Sequence, residues 1–273
     1  RRQAEMELMN TVSAADAALG TAENGKAFFS GFATDSREVK EGDCFLCIRG
    51  ERTDGHLYIA SAEENGAACF LCEEDLKTKL PYIKVKSVTE GLQNMALHHR
   101  KTSLFDTKIV AVTGSVGKTT TKELTAVVLS EAYKTYKTRG NKNSETGLPI
   151  TVLETESGHQ AAVVEMGMSG LGEIRTLSKV ALPDIGIITN IGLSHIEHLK
   201  TQENILKAKT EIVDGMAPSS PLLLNADDPL LFGWKGWENI LFFGIRNPAA
   251  DFRAEEIAGD DHSVRFTIVH GKV

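Results

Sequence analysis

The chain has no stretch approaching the roughly 20 apolar residues that a membrane-spanning helix requires, and its first residues lack the basic, apolar and small-residue succession of a secretory leader. No block of Lys and Arg is long enough to form a nucleic-acid footprint, and the formal net charge is −7. Neither a membrane nor a nucleic acid is therefore an expected partner. Small molecules are, and anionic ones would have to be held by local groups against the overall field. No internal repeat and no low-complexity tract is present.

Cysteine is scarce, with four in 273 residues. Cys44-x-x-Cys47 and Cys69-x-x-Cys72 have the spacing of a zinc ribbon. Both pairs, however, lie inside apolar, strand-like runs, and neither has a Gly-bearing turn close behind. Residues three apart on a strand point to opposite faces, which suits chelation poorly. The cysteines are expected to be small buried residues of a reducing compartment, and no zinc is expected.

A hydrophobic content of 41% over 273 residues predicts one large or two medium globular domains. The chain begins with Arg1 and not Met, so something is expected to precede or to have been added to its natural start; Met6 and Met9 are alternative initiators. Apolar runs at 27–33, 44–48, 67–72 and 82–85 predict short strands, with a helix over 56–64. Ser87-Val-Thr-Glu90 is a capping box ahead of a helix to about His99. Lys101-Thr-Ser103 reads as a link, giving domains 1–103 and 104–273.

From Lys108 strands and helices alternate. Strands are predicted at 109–112, 161–164, 185–188, 222–224 and 240–243, with helices at 118–131 and 202–216. That alternation predicts a mostly parallel sheet covered by helices, so the fold class is α/β. Val264-Arg-Phe-Thr-Ile268 alternates like a half-buried strand, and His270-Gly-Lys272 reads as a hairpin turn. With no partner strand after it, the second domain is expected to be incomplete.

The strongest chemical signal is Ile109-Val-Ala-Val-Thr-Gly-Ser-Val-Gly-Lys-Thr-Thr120. A buried strand runs into Gly114-Ser115-Val116-Gly117-Lys118-Thr119-Thr120, and a helix follows. Glycines let the backbone N–H groups converge on phosphate oxygens, and the helix N-terminus adds partial positive charge. Lys118 would reach the β- and γ-phosphates, and the Thr119 hydroxyl would coordinate Mg²⁺. Val112 stands where the strict pattern has Gly, so this is a short variant.

That loop resembles the one in the Mur ligases and their relatives, the folylpolyglutamate synthetases. Five further segments, spanning nearly the whole chain in the family's order, agree. Thr34-Asp-Ser36-Arg37, Glu41-Gly-Asp43, Arg49-Gly50 and Asp54-Gly-His56 resemble the family's UDP-sugar-binding domain. Gly140-Asn141-Lys-Asn143 through Gly147-Leu-Pro149 resembles its Asn-rich segment before a Gly-x-Pro turn. Glu165-Met-Gly167-Met-Ser-Gly-Leu-Gly172-Glu173 is similar to the branch that adds D-alanyl-D-alanine to UDP-N-acetylmuramoyl-tripeptide. Thr189-Asn190-Ile-Gly192-Leu-Ser-His195 and Ala208-Lys209-x-Glu211 complete the set. Leu199-Lys-Thr201 departs from the Phe-Gly-Ser or Leu-Gly-Ser that the family often has.

The resemblance implies an ATP-dependent amide ligase of peptidoglycan precursor synthesis in the bacterial cytoplasm. ATP would phosphorylate a carboxylate, and an amine would attack the acyl phosphate. It implies two Mg²⁺ sites, and a third family domain that this chain would lack, leaving it little turnover alone. A monomer is expected. Glu165, after a buried strand, is a hard oxygen donor at the edge where α/β sheets bind ligands. His195 follows another such strand, and by resemblance holds the second metal. At ~100° per residue, Ile205, Lys209, Ile212 and Met216 share one helical stripe, while Lys207 points away. An ammonium on that stripe is driven toward the neutral amine, which can take up CO₂ as a carbamate. The resemblance implies the same modified Lys209 as a metal-shell ligand; the alternative is a Lys snorkelling from the stripe's edge.

Asn141 and Asn143 are candidates for substrate or phosphate contacts, and Asn190 for the nucleotide. Ser36, Arg37, Asp54 and His56 are candidates for the UDP-sugar, although Asp54 equally suits a helix cap. Asn225 and Asp227 are weaker candidates for the nucleotide, since Asn225-Ala-Asp-Asp228-Pro reads as easily as a turn and helix start. The rival readings are a folylpolyglutamate-synthetase-like ligase and a nucleotide-binding module without turnover.

Overall fold

The computed structural model describes residues 6–50, 53–194, 196–260 and 262–271. The chain forms two compact units: residues up to Phe105 together with Glu145–Gly158, and Asp106–Ser144 together with His159 onward. The segment 145–158, inside 104–273 in sequence order, thus packs with the first unit.

In the first unit, β1 (Met9–Asn10) pairs with β3 (Phe28–Phe29), while β2 (Thr21–Glu23), β4 (Gly31–Ala33), β5 (Asp43–Leu46), β6 (Cys69–Cys72) and β7 (Tyr82–Lys84) form a five-stranded sheet. Its order is β2-β7-β6-β5-β4, parallel except for β2 at one edge. Strand alternation sorts the cysteines as expected. Cys44 stands opposite Cys69 on one face, and Cys47 and Cys72 join Phe45, Phe70 and Tyr82 in the core on the other. Burial pushes the thiols of Cys44, Cys47 and Cys72 well above their usual range.

Helices α1 (Thr11–Ala18), α2 (Ile59–Glu64) and α3 (Val88–Thr102) belong to this unit. The stretch 55–58 ahead of α2 is a 3-10 turn, so the predicted helix over 56–64 is α-helical only in its second half. Ser87 caps α3 as predicted, its Oγ accepting from the Glu90 N–H at 3.3 Å. Val88, Leu92, Met95, Ala96 and His99 recur at helical spacing and are buried.

The second unit holds α4 (Lys118–Ser130) and the eight-stranded sheet. Its strands are β8 (Lys108–Thr113), β9 (Thr135–Lys137), β10 (Ala161–Glu165), β11 (Ile185–Ile188), β12 (Leu222–Asn225), β13 (Ile240–Gly244), β14 (Phe252–Gly259) and β15 (Val264–His270). The order is β15-β14-β13-β12-β11-β8-β10-β9, parallel except for β15. The central strands are apolar runs because helices or loops cover both of their faces.

Four expectations need correction. Gly147-Leu-Pro149 is not a turn; it opens helix α5 (Gly147–Leu153), every residue of which is buried. Pro149 fits there because a first-turn N–H has no intrahelical partner to lose. Strand β15 does have a partner, and it precedes β15 in the chain: β14 pairs with it antiparallel. The turn is near Asp260, whose carboxylate accepts from the N–H groups of His262 and Ser263. The bend at Gly271 lies past the hairpin, and Lys272 lies outside the described residues. The helix predicted over 202–216 is α8 (Gln202–Thr210) followed by a 3-10 turn at Glu211–Gly215. Strands β9 and β14 were not anticipated, because their polar residues mask the alternation, and neither was helix α6 (Glu173–Ala181), although its buried Ile174, Leu177, Val180 and Ala181 recur at helical spacing.

The Leu199-Lys-Thr201 departure has a backbone consequence. Lys200 takes φ +70°, the left-handed conformation that glycine adopts without strain. Thr201 still caps α8, accepting from the Asn204 N–H at 3.2 Å.

Candidate functional site

In the second unit the candidates gather past the carboxyl ends of four neighbouring strands, β9, β10, β8 and β11. This is the edge where parallel sheets bind ligands. Strand β8 delivers the glycine loop. Gly114 sits at φ +149°, and a Cβ there would come within 1.8 Å of Thr189 Oγ1, so no other residue fits. Gly117, at φ +81°, starts α4.

The loop is laced to the segment after β11. Ser115 Oγ accepts from the Gly192 N–H at 2.8 Å. Asn190 accepts from the Val116 N–H at 3.1 Å and donates to the Val116 carbonyl at 2.9 Å. Asn190 is therefore brought to the loop through its backbone. Lys118 Nζ donates to the Gly114 carbonyl at 2.9 Å.

A cavity of about 250 Å³ is lined by Gly117, Lys118, Thr119, Thr120, Asn141, Asn143 and Glu165. Glu165 closes it at the end of β10 and is only 2% exposed. Its Oε2 accepts from the Thr119 hydroxyl at 3.0 Å, and its Oε1 from Asn143 Nδ2 at 2.9 Å. Asn143 in turn donates to Asn141 Oδ1 at 3.1 Å. A Cβ at Gly167 would meet the Asn143 amide at 2.9 Å, which accounts for glycine two residues after Glu165. The carboxylate and hydroxyl are hard oxygen donors side by side next to a phosphate-type loop, a donor set that fits Mg²⁺.

Lys209 is 2% exposed, flanked in the fold by buried Ile205 and Ile212 as the stripe predicts, with Lys207 exposed. Among the described residues its ammonium has no hydrogen-bond or ion-pair partner. Burial, and then the nearby charge of Lys118, lower its pKa to about 7. His195 lies outside the described residues.

Two neighbours of these residues were given no role from the sequence, Lys122 unnoticed and Glu211 named only within its motif. Lys122 is buried one turn after Lys118, and Glu211 is buried two residues after Lys209. Glu211 accepts from the Gly172 N–H with both oxygens, at 2.8 and 3.0 Å, and from the Arg175 N–H at 3.3 Å. It thereby caps α6 from another element, where the helix's own N-cap residue, Gly172, has no side chain. The i, i+4 spacing of Lys118 and Lys122 was a readable signal; the cap by Glu211 was not, being a tertiary contact.

In the first unit the candidates fall past the ends of adjacent parallel strands β4 and β5. Ser36 is buried at the start of a 3-10 turn that Asp35 caps. Arg37 is exposed and paired with Asp35, whose carboxyl it holds down to about 2 through their hydrogen bonds. Asp54 caps the turn before α2, accepting from the His56 N–H at 3.0 Å. His56 is buried with both ring nitrogens engaged: Nδ1 with Asp54 at 2.5 Å, and Nε2 accepting from the Glu73 N–H at 3.0 Å. Asn225 and Asp227 are structural braces. Asn225 donates to the Thr189 carbonyl, and Asp227 accepts from three backbone N–H groups at 245–247.

Comparison with known proteins agrees with this geometry. Residues 112–273 match the Mur ligase middle domain, and residues 29–100 match the model described as Mur ligase family, catalytic domain. A UDP-N-acetylmuramoyl-tripeptide–D-alanyl-D-alanine ligase of Bacillus subtilis is 36% identical over 242 residues, covering 87% of this chain and 52% of the relative. The Synechocystis enzyme of the same name is 42% identical over 201 residues, covering 72% of this chain and 44% of its own. A crystal structure of MurF from Acinetobacter baumannii superposes with a TM-score of 0.87 at 30% identity, over 97% of this chain and 59% of that one. MurF ligase from Thermotoga maritima, solved in complex with ADP, gives 0.76 at 33% identity, over 87% and 55%. The chain thus spans about half the length of the curated relatives it matches. With its middle-domain match covering more than half of the sequence, and the phosphate loop and Glu165 set together at one sheet edge, the chain belongs to the Mur ligase family.

Proposed function

We propose that the chain carries the substrate- and ATP-handling parts of a ligase that joins D-alanyl-D-alanine to UDP-N-acetylmuramoyl-tripeptide. The observation that carries this reading is the single cavity shared by Lys118, Thr119, Asn143 and Glu165, with the buried Lys209 close enough for its proton affinity to be lowered by Lys118. A protein that only binds nucleotide has no need of a buried lysine poised near neutrality beside the phosphate loop.

Residues 104–273, apart from the segment 145–158 that packs with the first unit, act as the ATP-binding domain and residues 1–103 as the UDP-sugar domain, with Ser36 and Arg37 toward the substrate. Asp54 and His56 act there by shaping the loop, since their polar atoms are engaged with each other, with Arg49 and with the Glu73 N–H. Gly114 to Thr120 cradle the phosphates through backbone N–H groups, and Asn190 holds that loop in shape. Lys118 neutralises phosphate charge, and Asn141 and Asn143 orient the group bound beside Glu165. Thr119 and Glu165 hold Mg²⁺; His195 and Lys209 are the candidates for a second ion. When bound, the metal neutralises the repulsion between triphosphate and carboxylate, which aligns them for transfer. The Lys209 ammonium first gives up one proton to become the neutral amine; that amine adds to CO₂, forming an N–C bond and releasing a second proton, so that a buried cation becomes an anionic ligand.

The test is formation of the amide from UDP-N-acetylmuramoyl-tripeptide, ATP, Mg²⁺ and D-alanyl-D-alanine, followed by mass spectrometry. It is run with this chain and with any longer product of the same gene. ATP turnover stimulated by a folate and not by the UDP-muramoyl peptide would redirect the reading to a polyglutamate-adding enzyme. Nucleotide binding without turnover by either form would leave a binding module.

A further inference from the structure

Lys122 is buried as deeply as Glu165, at 1% exposure, and the function proposed above gives it no task. It lies four residues after Lys118 on α4, so the two stack on one side of the helix. Lys118 reaches the cavity, whereas Lys122 runs beneath it toward the sheet. The Lys122 ammonium donates to the Thr138 carbonyl at 3.0 Å. It lies 3.1 Å from Glu123 Oε1 and 3.8 Å from Glu165 Oε2. Thr138 meets the same carboxylate's residue from the other side, its Oγ1 accepting from the Glu165 N–H at 3.0 Å. Glu123 is paired in addition with Lys137.

The charges therefore cancel before any ligand arrives: Glu123 and Glu165 against Lys122 and Lys137. The oxygen that Lys122 approaches, Oε2, is the one that accepts the Thr119 hydroxyl, and both residues line the cavity. A dication bound to that oxygen would meet an ammonium a few ångströms behind it, in surroundings too dry to screen the repulsion. Lys118 adds a second positive charge on the cavity side. Extra negative charge must come with the ion, and a nucleotide's phosphates supply it.

We propose that Lys122 makes divalent-cation binding at Glu165 conditional on a bound nucleotide. It cancels the carboxylate's charge in the empty site and holds it in place for the ion that arrives with the phosphates. This rests on the reading of Thr119 and Glu165 as cation ligands. Lys122 is a positioning residue and touches neither the nucleotide nor the reacting atoms.

The experiment is Mn²⁺ binding to the nucleotide-free protein, followed by electron paramagnetic resonance of the free ion, for wild type, Lys122→Met, Lys122→Arg and Glu165→Gln. Wild type is expected to bind no Mn²⁺ at this site below about 1 mM. Lys122→Met should tighten nucleotide-free binding ~10-fold or more, Lys122→Arg should stay near wild type, and adding Glu165→Gln to Lys122→Met should erase the gain. Unchanged or weaker binding in a folded Lys122→Met protein overturns the proposal. A gain that survives Glu165→Gln overturns the cation-ligand reading beneath it. Should Lys122→Met not fold, wild type still decides. An ATP analogue resistant to hydrolysis should bind ~10-fold tighter with Mn²⁺ than without, and tight Mn²⁺ binding to the nucleotide-free wild type overturns the proposal by itself.

Discussion

The Thr119 hydroxyl donates to Oε2 of Glu165 at 3.0 Å, joining the first turn of α4 to the end of β10. One residue belongs to the phosphate loop after β8 and the other to the strand beside β8 in the sheet, 46 residues further along the chain, and they line one cavity. Replacing Thr119 with Ala removes the donor and leaves a buried carboxylate oxygen short of a partner. A loss of about 1–2 kcal/mol in stability is expected, together with a loss of at least ~10-fold in Mg²⁺-dependent nucleotide affinity. Thr119→Ser should restore both. Denaturant titration and calorimetric nucleotide titration measure them; equal affinity in Thr119→Ala and wild type would remove Thr119 from the cation's neighbourhood.

Lys209 gives a pH signature. Its pKa falls from 10.5 to about 7 on folding. Between those values the unfolded chain binds the proton and the folded chain does not. Stability contributed by this group therefore rises with pH across that window, with a slope of at most ~1.4 kcal/mol per pH unit. Below about pH 7 both states are protonated and the burial penalty is present in full. Lys209→Met should flatten the pH dependence of unfolding between pH 7.5 and 9.5, roughly the middle of the window. A slope identical to wild type would show that the amine is not driven neutral.

Loss of the Lys209 side chain should also abolish ligation in a complete enzyme, by ~100-fold or more. If the working group is a carbamate, short carboxylic acids should return part of the activity to Lys209→Ala, because they refill the anionic position. Rescue by alkylamines and not by carboxylates would instead favour an ammonium as the working form.

Glu211 should matter to stability out of proportion to its place on the chain. It is buried and caps α6 through the Gly172 and Arg175 N–H groups. Glu211→Ala leaves those donors unpaired and should cost about 1–3 kcal/mol, with Glu211→Gln intermediate. The change should fall on the unfolding transition of the second unit, since the two units need not melt together. Hydrogen exchange at 172–175 would localise it, and unchanged protection there would exclude the capping role.

Local chemistry wrote much of this protein into its sequence. The glycine loop is legible because only glycine reaches the required dihedrals and only Lys and Thr suit the phosphate end. The α/β class is legible because doubly covered strands must be apolar throughout. The burial of Lys209 agrees with the helical stripe, although Ile212 and Met216 lie in and past the 3-10 turn after α8. Tertiary structure decided the rest, for reasons that period and propensity cannot carry. Strand β15 pairs backward with β14, whose charged residues hide its alternation. Segment 145–158 rejoins the first unit because α5 is buried on every side and packs there against α3. Asp54 and His56 are ligand-type residues in the sequence, and the fold engages them with each other, with Arg49 and with the Glu73 N–H. Lys122 drew no notice in the sequence, and only the end of β10 brings Glu165 to within 3.8 Å of it. A side chain's type states what chemistry it can do, and only the neighbours supplied by distant strands determine whether its charge is free to do it.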